Sequence, residues 1–150
     1  MSPVATPLYV DQSAGVVIDF MREHHMEWVP IVDRDNKFVG LVSTEKLMRM
    51  LLPKSIAMMR GLKHASYLRE SGEELQARMD GVRSLVIADL LDKHAKTVHP
   101  DATLADALMV ISDRQYVVPV VDDDGHLVGA ISYFSIMHAV EAEVAKGDEQ

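Results

Sequence analysis

The chain has 150 residues, enough for one domain or two small halves sharing a core, and 48% of them are apolar, which excludes a disordered chain. A net charge of −8 excludes the basic face that nucleic acid or an anionic membrane surface requires. The absence of cysteine excludes disulfides, thiolate catalysis and Cys-ligated zinc.

No apolar run approaches the roughly 20 residues needed to span a bilayer. Met1-Ser2-Pro3 lacks the charged and apolar regions of a signal peptide. A cytoplasmic protein without membrane or nucleic-acid partners is the simplest expectation. Leu8-Tyr9-Val10 reads as a short strand, capped into a helix by Asp11-Gln12-Ser13. The helix is predicted over residues 14–24, with Val17, Phe20 and Met21 at helical spacing. Val29 to Val32 and Phe38 to Ser43 are apolar, β-branched runs around the polar turn Asp33-Arg34-Asp35-Asn36, a hairpin signature. Asn36 tolerates the positive φ such a turn needs. Pro30 has no N–H to donate and is expected at a strand start or edge, and Gly40 at a close backbone approach. Thr44 to Leu52 reads as a second helix, stopped by Pro53.

Lys54 to Arg83 is too long for a bare loop. Ile56, Met59, Leu62 and Leu68 predict one helix; Ser71 and Glu74 have capping-box spacing for a second, carried by Leu75 and Met79 and ending at Gly81. Met48, Met50, Met58, Met59 and Met79 gather on or near this connector, as adaptable core filler or as a soft docking surface. Val86 to Asp92 is expected to lead into the second part with a helical turn.

The hairpin then recurs. Val118-Pro119-Val120-Val121-Asp122 and Leu127-Val128-Gly129-Ala130-Ile131-Ser132 repeat the first hairpin without a gap, at the offset of 89 that separates Pro30 from Pro119. Asp122-Asp123-Asp124-Gly125 supplies the turn. Ahead of the hairpin the offset is 90, matching Asp11 to Asp101, so one residue is lost around Arg114-Gln115. Thr97-Val98-His99 is the predicted strand. Thr103 and Asp106 form a capping box for a helix striped by Leu104, Ala107, Leu108 and Ile111. Tyr133 to Val144 is the last helix, with Ile136, Met137 and Val140 inward, and residues 145–150 are expected to fray. Each copy is strand, helix, strand, strand, helix.

The doubled unit resembles the cystathionine-β-synthase (CBS) domain, and two in one chain resemble the CBS pair, or Bateman module. The resemblance rests on Val98-His99-Pro100-Asp101-Ala102-Thr103-Leu104, Val118 to Asp122 and Gly129 to Ser132, with their first-copy equivalents at Leu8 to Asp11, Val29 to Asp33 and Gly40 to Ser43. It covers both copies, and the connector falls outside it. It implies an α+β fold of two β-α-β-β-α repeats, residues 1–53 and 84–144, related by a pseudo-twofold and packed through small mixed sheets. A helical connector, 54–83, joins them, and the first copy lacks its lead-in turn. The resemblance further implies a regulatory, non-catalytic protein with no required cofactor. It would be homodimeric, sensing AMP, ADP, ATP or S-adenosylmethionine in clefts between the repeats. The alternative is a ligand-free scaffold for dimerisation or for docking a regulated protein partner.

The ligand-binding residues so implied are Tyr9, Val29, Pro30, Val42, Ser43 and Lys46 in the first copy. In the second they are His99, Val118, Pro119, Ile131, Ser132 and Ser135. Ser43 and Ser132 sit where a strand hands over to a helix. A serine there caps the helix, and the same free N–H groups suit an anion. The family pattern places a ribose-binding Asp three residues later; this chain has Lys46 and Ser135 there, and Trp28 and Val117 two residues before each proline. Lysine is donor-only, so it favours a more anionic ligand. His24 and His25 are adjacent and do not share a helix face, and Asp122 to Gly125 lacks the ligand spacing of a calcium loop. No metal site and no catalytic constellation is expected.

Overall fold

The computed structural model describes residues 7–51 and 72–148, with side chains through 142. The predicted helix through Ile56, Met59, Leu62 and Leu68, the stop at Pro53 and the capping Ser71 lie outside the described residues.

The first repeat runs β1 (Leu8–Tyr9), α1 (Ala14–His24), β2 (Trp28–Val32), β3 (Phe38–Ser43) and α2 (Thr44–Leu51). β1 pairs parallel with β2 and β2 antiparallel with β3. The hairpin turn forms because the Asp33 carboxylate accepts the N–H groups of Asp35 and Lys37, both at 2.9 Å, and Asn36 adopts φ 63°. After α3 (Gly72–Arg83) and a 3-10 turn (Ile87–Leu90), the second repeat contributes α4 (Leu104–Ser112), β4 (Val117–Val121), β5 (Leu127–Ser132) and α5 (Tyr133–Asp148). Its turn is built the same way. Asp122 accepts from Asp124 and His126, and Gly125 takes φ 87°. Both hairpins carry a register shift at the equivalent step, Ile31/Val32 and Val120/Val121. The expected Thr103–Asp106 capping box is present in both directions.

The two turns meet. Phe38 N donates to Gly125 O at 2.9 Å, and Leu127 N donates to Asn36 O at 3.0 Å. These bonds exchange equivalent residues of the two copies, and between them Lys37 faces its own equivalent, His126. A pseudo-twofold axis therefore passes between Lys37 and His126.

Several expectations need correction. Thr97-Val98-His99 is not a strand but a single bridge, Val98 opposite Val120. In the first copy Val10 N extends the ladder to Val32 O, whereas the equivalent Pro100 has no N–H to give. Pro30 is neither at a start nor at an edge; it is the third residue of β2, with β1 and β3 on either side. Its partner Leu41 spends both backbone groups on Asp92, so Pro30 sits at a pair that needs no donor. Gly81 does not end α3, which continues to Arg83 because Val82 is buried in the core and Arg83 grips Asp19 with two 3.0 Å bonds. α5 does not stop at Val144 but runs to Asp148. His25 and Arg114, matched at the offset of 89, are both left-handed, at φ 53° and 70°. The lost residue therefore falls in the last turn of the second-copy helix, ahead of Arg114. Leu108 and Met137, expected inward, are both exposed.

Two apolar clusters fill the halves. One holds Val17, Ile31, Val42 and Leu47, the other Ala107, Val118, Val120 and Ile136. The first also takes in Val82, Ile87, Leu90 and Leu91, which in sequence adjoin the second copy and precede its first paired residue, Val98. Backbone bonds hold this strap: Ala14 N to Leu85 O, Ile87 N to Gln12 O, and a reciprocal pair between Leu41 and Asp92. Among the described residues no helix is long and apolar enough to cross a membrane.

Candidate ligand clefts

Ser43 ends β3 and is buried; its hydroxyl accepts Lys46 N at 3.3 Å, capping α2. Lys46 Nζ reaches back to the Leu91 carbonyl at 3.2 Å, and Arg49 pairs with Glu45. These groups and the strap segment Leu91–His94 line an open cavity of about 590 Å³, with Trp28 on its wall. Lys46, Arg49 and Lys93 oppose only Glu45 and Asp92 there, so the cavity is net positive in a chain of charge −8.

Ser132 is built the same way. Its hydroxyl accepts Ser135 N at 3.1 Å and lies 2.9 Å from Ser135 Oγ. The cavity beside it, about 410 Å³, differs in chemistry: Tyr116, Tyr133 and Phe134 face Met26, Glu27 and Trp28 of the first repeat. Tyr133 N donates to Tyr116 O, as Thr44 N donates to Glu27 O in the first copy.

Of the implied ligand residues, the structure brings Ser43 and Lys46 into one cavity and Ser132, bonded to Ser135, onto the other. Val29, Pro30, Val42, Val118 and Pro119 are buried, and Ile131 packs against the second core; none of them lines the two clefts. β2, β3 and β4 are buried on both faces, so the residues beside the serines face protein and not a cleft. Tyr9 lies under Arg34, whose guanidinium carbon is 4.0 Å from the ring centre. Arg34 also holds Asp11 by two bonds, which keeps that carboxyl below its usual range. At the equivalent place His99 Nδ1 accepts the Asp101 N–H and Nε2 lies 2.8 Å from Asp123. His99 borders a separate cavity of about 420 Å³. Asp122, Asp124 and His126 bring ligand atoms within 4.8 Å, but the Asp122 carboxylate is occupied by backbone N–H groups, which also lower its pKa.

Sequence reasoning missed the strap residues Leu91–His94 and the aromatic trio Tyr116, Tyr133 and Phe134. The trio had a signal: at the offset of 89 these three replace Glu27, Thr44 and Glu45.

Two like-built halves, paired turn to turn about a pseudo-twofold with an open cleft at each strand-to-helix serine, define a tandem β-α-β-β-α module. The CBS domain family model matches residues 1–53 and 76–142, and the chain belongs to that family. The uncharacterized protein MJ1426 of Methanocaldococcus jannaschii is 23% identical over 145 residues, covering 89% of this chain and 84% of that protein. The crystal structure of the CBS-pair protein CBSX2 from Arabidopsis thaliana is similar with a TM-score of 0.74 at 21% identity, covering 97% of this chain and 93% of that one. CBSX2 in complex with AMP is similar with a TM-score of 0.68 at 21% identity, covering 95% and 92%.

Proposed function

We propose that this chain is a cytoplasmic regulatory sensor that binds an adenine nucleotide in the cavity beside Ser43, and that it acts by binding and not by turnover. The observation that carries the reading is the cavity itself: about 590 Å³ at the start of α2, net positive inside an acidic chain. Helix N-termini favour anions, and Lys46 and Lys93 add charge. The AMP complex of CBSX2 supports an adenosine ligand. Lys46 stands where the family pattern has a carboxylate for the ribose, so the grip shifts from ribose to phosphate. ATP and ADP are therefore favoured over AMP, and AMP over S-adenosylmethionine. The test is thermal unfolding against these four ligands. A ligand at about 100 times its dissociation constant stabilises by about 2.7 kcal/mol. A shift that grows with phosphate number supports the reading; no shift with any of the four at millimolar concentration removes it.

A second reading concerns assembly. α3 covers α1 and α2 in the first half. The equivalent helices of the second half expose Leu108, Met109 and Met137. We propose that this face pairs with a second copy to form a homodimer. Light scattering of Met137→Glu checks it: a dimer in the wild type and a monomer in the variant are expected. The proposed division is into two repeats, 1–53 and 84–144, with a connector, 54–83.

A further inference from the structure

We propose that the first repeat binds a medium-chain carboxylate, an apolar tail with an anionic head, in a cavity between its two helices and α3. The site is separate from the clefts at the two strand-to-helix serines, and the inference does not rest on the nucleotide reading.

The cavity measures about 210 Å³ and is lined from α1, α2, α3 and the turn that follows α1. Buried core residues form its floor, Met21, Leu47 and Val82. Each of the four segments contributes one methionine: Met21 from α1, Met26 from the turn, Met48 from α2 and Met79 from α3. Methionine is unbranched and polarizable, so it repacks around guests of different shape. Protein interiors ordinarily leave few such spaces. A void between packed helices deprives its lining of partner atoms; an apolar guest restores those contacts and leaves water as it does so. α3, which packs on α1 and α2, is what closes the space. In the second repeat the equivalents of Ile18 and Met48, which are Leu108 and Met137, stand exposed.

The polar groups of the lining identify the head. Only Arg22 and Thr44 are polar there, and Arg22 carries the only charge. A cationic guest would find no counterion, whereas an anionic one meets a guanidinium. Arg22 can turn toward it. Its side chain is 76% exposed and is tied by one bond of 3.2 Å to Asp19. Asp19 keeps two bonds of 3.0 Å from Arg83 if Arg22 leaves. A guanidinium presents paired N–H donors that match both oxygens of a carboxylate. The Thr44 hydroxyl is a further donor. The volume sets the length of the tail. At about 30 Å³ per heavy atom, the share of one liquid water, the cavity takes roughly seven chain atoms. With its carboxyl carbon, the fitting acid has about eight carbons.

The experiment titrates the full chain, isotope-labelled at its methionine methyls, with sodium octanoate and follows the methyl signals by NMR. Octanol supplies the same chain without the charge, and acetate the charge without the chain. Octanoate is expected to shift Met21, Met26, Met48 and Met79 and to leave Met109 and Met137, exposed on the second repeat, in place. Acetate is expected to shift none of them. Affinity should rise about fourfold per methylene from butanoate to octanoate, then level off once the cavity is full. Exposed ion pairs contribute little, so Arg22→Gln is expected to weaken octanoate roughly three- to fivefold and to leave octanol unchanged. Met48→Trp fills the mouth and is expected to abolish binding of both. Arg22 and Met48 are exposed, so both variants keep the fold, which circular dichroism verifies. The proposal is overturned if octanoate shifts none of the four lining methyls, or if it shifts Met109 and Met137 equally, as detergent-like adsorption does. It is also overturned if Arg22→Gln does not weaken octanoate more than octanol, or if affinity climbs with chain length without a plateau.

Discussion

The carbonyl oxygen of Asp92 lies 2.8 Å from the point where a Cβ would project from Gly40. That approach is made by the reciprocal Leu41–Asp92 backbone pair, which ties the strap to the edge of β3. Gly40→Ala would force the strap outward, and overpacking of this kind costs about 1–3 kcal/mol. Denaturant unfolding is expected to show that loss. Hydrogen exchange is expected to localise it to the Leu41 and Asp92 amides.

Ile87 tests how the strap is shared. It belongs in sequence to the lead-in of the second copy yet is fully buried in the first core. Ile87→Ala is expected to destabilise by about 2–5 kcal/mol. Faster exchange should then appear in α1 and β2, elements that lie more than fifty residues upstream. Loss of protection confined to α4 and β4 would contradict this packing.

The chain shows plainly why some of this was legible and some was not. The repeat printed its own symmetry: Asn36, the turn residue singled out for positive φ, and its equivalent Gly125 are the residues whose carbonyls cross the pseudo-dyad. The start of α4 followed from its capping box at Thr103 and Asp106, whereas the ends of α3 and α5 ran past the expected residues. The destination of Ile87 was not legible, because adjacency in sequence says nothing about which core a connecting turn enters. Nor was the inward aim of Val29, Val42 and Val118. These strands are buried on both faces, so alternation could not single out a ligand-facing side. Tyr116, Tyr133 and Phe134 went unread because they lie beside the repeated motif and not in it.

The turn of the second repeat gives a substitution expected to be mild. Gly125 has φ 87° with no atom within 4 Å of a built Cβ, so only the backbone conformation resists a side chain. Alanine at positive φ costs about 1–2 kcal/mol. Gly125→Asn should cost less than Gly125→Ala, since asparagine already holds the equivalent place at Asn36 with φ 63°. Thermal midpoints of the two variants provide the check.

Asp19 sets an acid sensitivity. The two bonds from Arg83 hold its carboxyl below the ordinary value of 3.8 in the folded chain. A folded-state pKa that is depressed adds stability above the unfolded value, and this is lost as pH falls through the folded value. The pair therefore stabilises α3 against α1 at neutral pH, and that contribution begins to be lost below about pH 4 and is gone once the pH has fallen through the depressed folded value. Asp19→Asn is expected to lower the thermal midpoint at pH 7 and to flatten its decline in acid. Identical pH profiles for the variant and the wild type would assign the contact no role.

On the proposed nucleotide reading, Lys46 is expected to set which end of the ligand the Ser43 cavity holds. Its ammonium is parked on the Leu91 carbonyl at 3.2 Å, a neutral acceptor that an anionic phosphate would outcompete. Lys46→Asp restores the carboxylate that the family pattern uses for ribose hydroxyls and removes a cation from the cavity. A hydrogen bond to a charged group contributes about 1.5–3 kcal/mol, so ATP affinity should fall by roughly tenfold to a hundredfold. AMP should lose less, because the new carboxylate accepts from its ribose while only one phosphate is repelled. Calorimetric titration of ATP and AMP into both proteins gives the ratio directly. An ATP-to-AMP preference unchanged by the substitution would mean that Lys46 does not face the phosphates.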